Sequence, residues 1–208
     1  RALFTRPELS VERVSYDVIT PSAARGLIES VYWHPGLRYV IDRIHVINPI
    51  EFSGVRRNEV SVKASAKAMR AAVENGKVPP FINTQETIAQ RASLILTDVR
   101  YVIDAHFVMT DRAKAEDNPG KFCDILKRRL RKGQCYSHPY FGCREFAANV
   151  RLFEGELPMS AYAGVEERDF GIMLYDMDYS DPDDIVPLFY RAVMRKGVID
   201  VAGCEVYR

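Results

Sequence analysis

The stretch 20-TPSAARGLIESVYWHP-35 decides how the chain is read. Thr20 suits a helix N-cap, and Pro21 suits the first helical position, where a missing N–H leaves no bond unmade. Ala24, Leu27, Ile28 and Val31 recur at i, i+3, i+4 and i+7, which makes one buried stripe. Pro35 disfavours helical geometry at His34, so the helix is expected to stop near Trp33. Working outward, Tyr39–Ile47 reads as a strand closed by Asn48-Pro49. Ser61–Glu74 is alanine-rich and basic and reads as a helix closed by Asn75-Gly76. In Val99–Met109 the residues Val99, Tyr101, Ile103, Ala105, Phe107 and Met109 share one face, the pattern of a half-buried strand. Asn118 and Pro119 open a second strong helix that Gly133 ends, with Phe122, Ile125, Leu126 and Leu130 as its apolar stripe. FGIMLYDMDY (170–179) and Phe189–Val201 read as strands of a smaller sheet. Helices and strands mix without a regular βαβα rhythm, which predicts an α+β fold.

The 208 residues are 47% hydrophobic and 27% charged, enough for a globular core. No run approaches eighteen apolar residues, so no membrane span is expected. The start, RALFTRPELS, has no apolar signal-peptide region and no methionine, so the chain is expected to begin inside a longer gene product. Cys123, Cys135, Cys143 and Cys204 form no C-x-x-C pair and read as reduced thiols of a cytoplasmic protein. The net charge of +1 hides an asymmetry. Arg112–Lys132 carries eight basic residues against Glu116, Asp117 and Asp124, and Arg38–Arg70 carries seven against three acidic ones. Glu166–Asp184 carries eight acidic residues against Arg168 alone. Such segregation suits a polyanion on one side and a protein neighbour, or solvent, on the other.

Familiar catalytic signatures are missing: there is no G-x-G-x-x-G, Walker loop, G-x-S-x-G or H-E-x-x-H. DMDYSDPDD has Asp181 where a calcium loop needs glycine and reads as a solvated loop. His34, His45, His106 and His138 share no metal-ligand spacing, so neither a metal nor a cofactor is expected. The second helix is more informative. Its first turn normally favours acidic residues, yet Lys121 stands there, which suits a docked phosphate. Lys127, Arg128, Arg131 and Lys132 extend the positive field along that element, although a basic surface helix with a snorkelling lysine would look the same. Tyr32, Trp33 and His34 put three rings in succession beside a helix end, the material of a stacking platform for single-stranded nucleic acid or of ordinary core. Arg56 and Arg57 form a second basic cluster, placed after the first strand pair.

Read together, ALFTRPE (2–8), ERVSYDVITPSAARGLIESVYWHP (12–35), VIDRIHVINPI (40–50), RRNEVSVKASA (56–66), RYVIDAHF (100–107), NPGKF (118–122), RRLRKGQC (128–135), PYFGCREF (139–146) and FGIMLYDMDY resemble the CRISPR-associated family of subtype I-C, the Dvulg subtype. The resemblance implies a ferredoxin-like βαββαβ domain of the RNA-recognition type over 1–150 and a small antiparallel β-sheet domain over 151–208. It implies a metal-independent endoribonuclease that cuts CRISPR repeat RNA and then holds the 5′ handle of the guide. The other reading is a guide-binding subunit without cleavage. Implied partners are that RNA and the other subunits of the type I-C surveillance complex, with DNA left open. The family's tyrosine and lysine fall on Tyr32, in Ser30-Val31-Tyr32-Trp33, and on Lys121. Its histidine falls on Phe122, a departure that makes His34 the first candidate for proton donor. Trp33, Arg56, Arg57, Lys127, Arg128, Arg131 and Lys132 are the expected RNA contacts.

Overall fold

In the computed structural model, which describes residues 1–208 except Ser10, Val78, Pro79 and Pro182, Thr20 takes the expected cap. Its hydroxyl accepts from the Ala23 N–H at 3.2 Å, and helix α1 runs Pro21–Val31. Tyr32 already has extended backbone, as the approach to Pro35 requires. Helix α3, Pro119–Lys132, is capped by Asn118, whose side chain accepts from the Lys121 N–H at 2.8 Å. Gly133 closes it in the left-handed conformation, φ 63°, which glycine adopts without a Cβ clash. Helix α2 covers only Ala66–Glu74, because Ser65 caps it and the expected start at Ser61 lies outside.

The strands are β1 Arg13–Val14, β2 Leu37–Val46, β3 Glu51–Val60, β4 Ile88–Thr97, β5 Tyr101–Met109, β6 Arg168–Asp178, β7 Val186–Arg195, β8 Val198–Asp200 and β9 Val206–Tyr207. Two expectations change here. Phe189–Val201 is not one strand: Lys196 (φ 50°) and Gly197 (φ 85°) make a two-residue turn, and β7 folds back as β8. Arg56 and Arg57 do not follow a strand pair but sit inside β3, which pairs with β4 over ten residues, from Glu51 opposite Thr97 to Val60 opposite Ile88.

One sheet has the order β1-β4-β3 and the other β5-β2-β8-β7-β6, with β9 beside β7. The fold is α+β, a ferredoxin-like part with C-terminal β structure. The β2–β8 ladder, Arg43 opposite Asp200 to His45 opposite Val198, crosses residue 150, so the segments 1–150 and 151–208 share a sheet. They also share a core, where Ile19, Ala24, Leu27 and Ile44 pack with Met173, Tyr190, Met194 and Ile199. A second cluster of Tyr32, Leu37, Tyr39 and Phe122 seats α3 beside the end of α1. Gly142 (φ 79°) locks the N-terminus to the 140s loop, since a Cβ there would lie 1.9 Å from the Leu3 carbonyl oxygen.

The acidic stretch is an open negative face only at Asp181, Asp183 and Asp184, which are exposed. Glu166, Glu167, Asp169, Asp176 and Asp178 meet Lys196, Arg195, Arg191, Arg25 and Arg208 respectively, so the fold brings countercharges from β7, the turn after it, α1 and the residue after β9. All five of these cations lie outside 166–184, which is why the charge of that segment alone overstates its negative field.

Candidate active site

Tyr32, His34 and Lys121 come together where the end of α1 meets the start of α3. Phe122 is the hub, 1% exposed. The Tyr32 ring lies 6.1 Å from it, the His34 ring 4.8 Å and the Phe107 ring 6.3 Å. Tyr32 is 8% exposed, and its carbonyl accepts from the Tyr39 hydroxyl at 2.9 Å. The Arg129 guanidinium lies 5.0 Å over the Tyr32 ring and donates to the Val31 carbonyl at 2.8 Å. Burial pushes the Tyr32 phenol above its ordinary range, while Lys121 and Arg129 pull it down by less. Desolvation wins over the two cations, and the group is a neutral phenol at neutral pH.

His34 is fixed by its neighbour. The Gly36 N–H donates to Nδ1 at 3.0 Å, so Nδ1 is the acceptor and the proton of the neutral ring sits on Nε2. Nε2 lies 3.9 Å from Asp117 Oδ2, and Lys121 Nζ lies 3.4 Å from Asp117 Oδ1. The Asp117 carboxylate, 3% exposed in its side chain, also accepts the Lys114 N–H at 3.0 Å. That backbone bond, with His34 and Lys121, holds its pKa below the usual carboxylate range. Sequence reading missed Asp117, which counted only as one acid in a basic segment. The Asp-Asn pair before Pro119, an aspartate one residue ahead of a cap, was the available signal.

The helix end itself offers less than its position suggested. Asn118 takes the Lys121 N–H through its side chain and the Phe122 N–H through its carbonyl, so Lys121 acts through its ammonium. Among the expected RNA contacts, Trp33 is 59% exposed beside the cluster, and Lys127, Arg128 and Lys132 are exposed on α3. Arg131 is exposed but paired with Glu154, its Nη2 2.5 Å from Oε1. On β3, Arg56 is exposed while Arg57 turns inward to Glu145. Among the described residues no three His, Cys, Asp or Glu side chains gather to hold a metal ion, and all four cysteines are free. Among the described residues no helix is long and apolar enough to cross a membrane.

A family model described as "CRISPR-associated protein (Cas_Cas5)", Cas5d, matches residues 1–202. The chain belongs to the Cas5d family. A relative from Mannheimia succiniciproducens, named a CRISPR pre-crRNA endoribonuclease Cas5d, is 45% identical over 204 residues, covering 96% of this chain and 90% of its own. One of the same name from Thermus thermophilus is 37% identical over 227 residues, covering 100% and 91%. The crystal structure of a CRISPR-associated protein superposes with a TM-score of 0.70 at 27% identity, covering all of this chain and 92% of that one. A functionally uncharacterized protein from Streptococcus mutans superposes at 0.69 and 25% identity with the same coverage.

Proposed function

We propose that this Cas5d chain is an endoribonuclease that cuts CRISPR repeat RNA without a metal ion and keeps the 5′ handle of the guide. It works in the cytoplasm among the other subunits of a type I-C surveillance complex. The observation that carries the reading is the convergence of Tyr32, His34 and Lys121 on Asp117 and Phe122 in a chain whose relatives are named for this reaction. The ribose 2′-oxygen bonds to the adjacent phosphorus, and the bond from phosphorus to the 5′-oxygen breaks. The 2′-hydroxyl loses a proton and the 5′-oxygen gains one, leaving a 2′,3′-cyclic phosphate and a 5′-hydroxyl. The Lys121 ammonium faces the charge that builds on the phosphorane and gives a proton to the leaving 5′-oxygen, while a solvent water takes the proton of the 2′-hydroxyl and returns one to Lys121. The neutral Tyr32 phenol orients the 2′-hydroxyl, and His34, whose Nδ1 accepts from the Gly36 N–H, gives the reacting oxygens a hydrogen bond from Nε2–H, so the proton-donor role expected of it passes to Lys121. DNA lacks the nucleophile and would be bound without being cut.

A second reading, a guide-holding subunit without cleavage, is favoured by one observation. Phe122 puts a buried ring where the resemblance places a histidine. Purified protein and repeat RNA in EDTA separate the two. Cutting that stops when a single 2′-deoxy nucleotide precedes the scissile phosphate supports the enzyme; tight binding with intact RNA supports the holder.

A further inference from the structure

At Val31, the residue before Tyr32, and the C-terminal end of α3 lies a pocket of about 340 Å³, at the small end of the range for ligand sites, about 300–1,000 Å³. Its floor is apolar and buried, formed by Val31, Pro139 and Ala148. Its rim carries Gln134, His138 and Asn149, all exposed, whose side chains bond to no described residue. No Lys, Arg, Asp or Glu lines it. The walls are pinned in place. The Tyr136 and Ser137 N–H groups donate to the Ser30 carbonyl at 2.8 and 3.0 Å, and the Ala148 N–H to the Pro139 carbonyl at 2.9 Å. The left-handed turn at Gly133 lets the Gln134 N–H return to the Arg129 carbonyl at 2.9 Å. Val31 joins the pocket to the catalytic cluster: its carbonyl accepts from the same Arg129 guanidinium that lies over the Tyr32 ring.

We infer that this pocket holds one unstacked nucleobase of the RNA strand that carries the scissile phosphate, with its ring on the floor and its edge read by Gln134 and Asn149. The inference rests on the endoribonuclease reading and adds a specificity site to it. A carboxamide both donates and accepts, so two of them can match the donor and acceptor pattern of a base edge. An uncharged lining suits a base and offers a phosphate nothing; Arg129 and Lys132, in the last turn of α3, lie alongside for the phosphates. Single-stranded RNA is read in this way, base by base, once a nucleotide leaves the stack.

The test uses full-length protein and repeat RNA carrying a 2′-deoxy nucleotide at the cut, so that binding is measured without cleavage. Single abasic sites are scanned along the strand on both sides of the cut. One abasic position should weaken wild-type binding about tenfold, the scale of one bidentate base contact. In Gln134→Ala/Asn149→Ala the same position should cost almost nothing, because base and readers act as one unit. Asn149→Asp keeps the size of the side chain but replaces a donor with an acceptor, and it should change which base is preferred at that position only. Abasic losses that are equal in wild type and both variants overturn the pocket. So does a variant that binds RNA normally but no longer joins the other subunits, since that outcome points to a protein occupant. Wild type that neither binds nor cuts the repeat overturns the endoribonuclease reading itself.

Discussion

At Asp117 the Lys114 N–H, the Lys121 ammonium and the His34 ring meet on one carboxylate. Asp117→Asn keeps the shape and an acceptor for Lys114 but removes the charge that aims the other two. Single-turnover cleavage should fall about tenfold, the worth of one charge-assisted bond, while affinity for uncleavable repeat RNA holds or rises. The carboxyl is held below its usual range, so its ionised form persists as pH falls until that lowered value is reached. Asp117 therefore adds no limb to a pH–rate profile above about pH 5. Tyr32 gives the opposite sign. Its raised pKa keeps the phenol protonated, so its role is alignment, and Tyr32→Phe should lower the rate about tenfold by a constant factor from pH 7 to 9. A gap between the two profiles that widens with pH would mark a phenolate base instead. At Phe122, 1% exposed among three rings, a histidine would bury an imidazole against apolar neighbours. Phe122→His should cost about 1–3 kcal/mol in chemical denaturation and give no gain in cleavage rate. A faster Phe122→His enzyme would show that this position reaches the reacting phosphate.

Helix α3 is the element on which electrostatics and packing separate cleanly. Lys127 and Arg128 are exposed, whereas Arg131 is already held by Glu154. Lys127→Ala/Arg128→Ala should reduce the slope of log K against log salt by about 1.4, that is, about 0.7 for each single-strand phosphate no longer neutralised. Adding Arg131→Ala should change it by less, and Glu154→Gln should steepen it by freeing Arg131; equal steps for all three cations would mean that Glu154 does not restrain Arg131. This helix and α1 were legible in the sequence because their signals are local: a cap, a proline at the first position, a glycine after the last turn of α3. The long β3–β4 hairpin was not, since its register joins Glu51–Val60 to Ile88–Thr97 across an intervening helix and β3 has no fully buried residue. The meeting of Tyr32 with Lys121 is likewise a product of tertiary packing around Phe122. Spacing cannot encode it, and only the family resemblance brought the two residues into one site.

Over the whole molecule, three tyrosines packed against the core report whether the chain unfolds in one step or two. Tyr39 lies on β2, Tyr101 on β5 and Tyr190 on β7, and burial pushes each phenol well above its ordinary value. The Tyr190 hydroxyl is buried with no bonding partner among the described residues, so its ionised form has nothing to stabilise it. In the unfolded chain all three would lose their protons near pH 10. The folded state thus holds more protons above that pH, and its stability, complete below about pH 10, falls as pH rises toward the folded values. Each pH unit in that window removes about 1.4 kcal/mol per tyrosine so held, or about 4 kcal/mol for the three together. A division into 1–150 and 151–208 would place Tyr39 and Tyr101 in one unit and Tyr190 in the other, giving two alkaline steps. The β2–β8 ladder and the core shared by Ile44, Met194 and Ile199 couple the two segments. Tyrosinate absorbance and far-ultraviolet circular dichroism should therefore move together in one transition above pH 10. If absorbance rises in two stages with circular dichroism following only one of them, residues 151–208 open on their own.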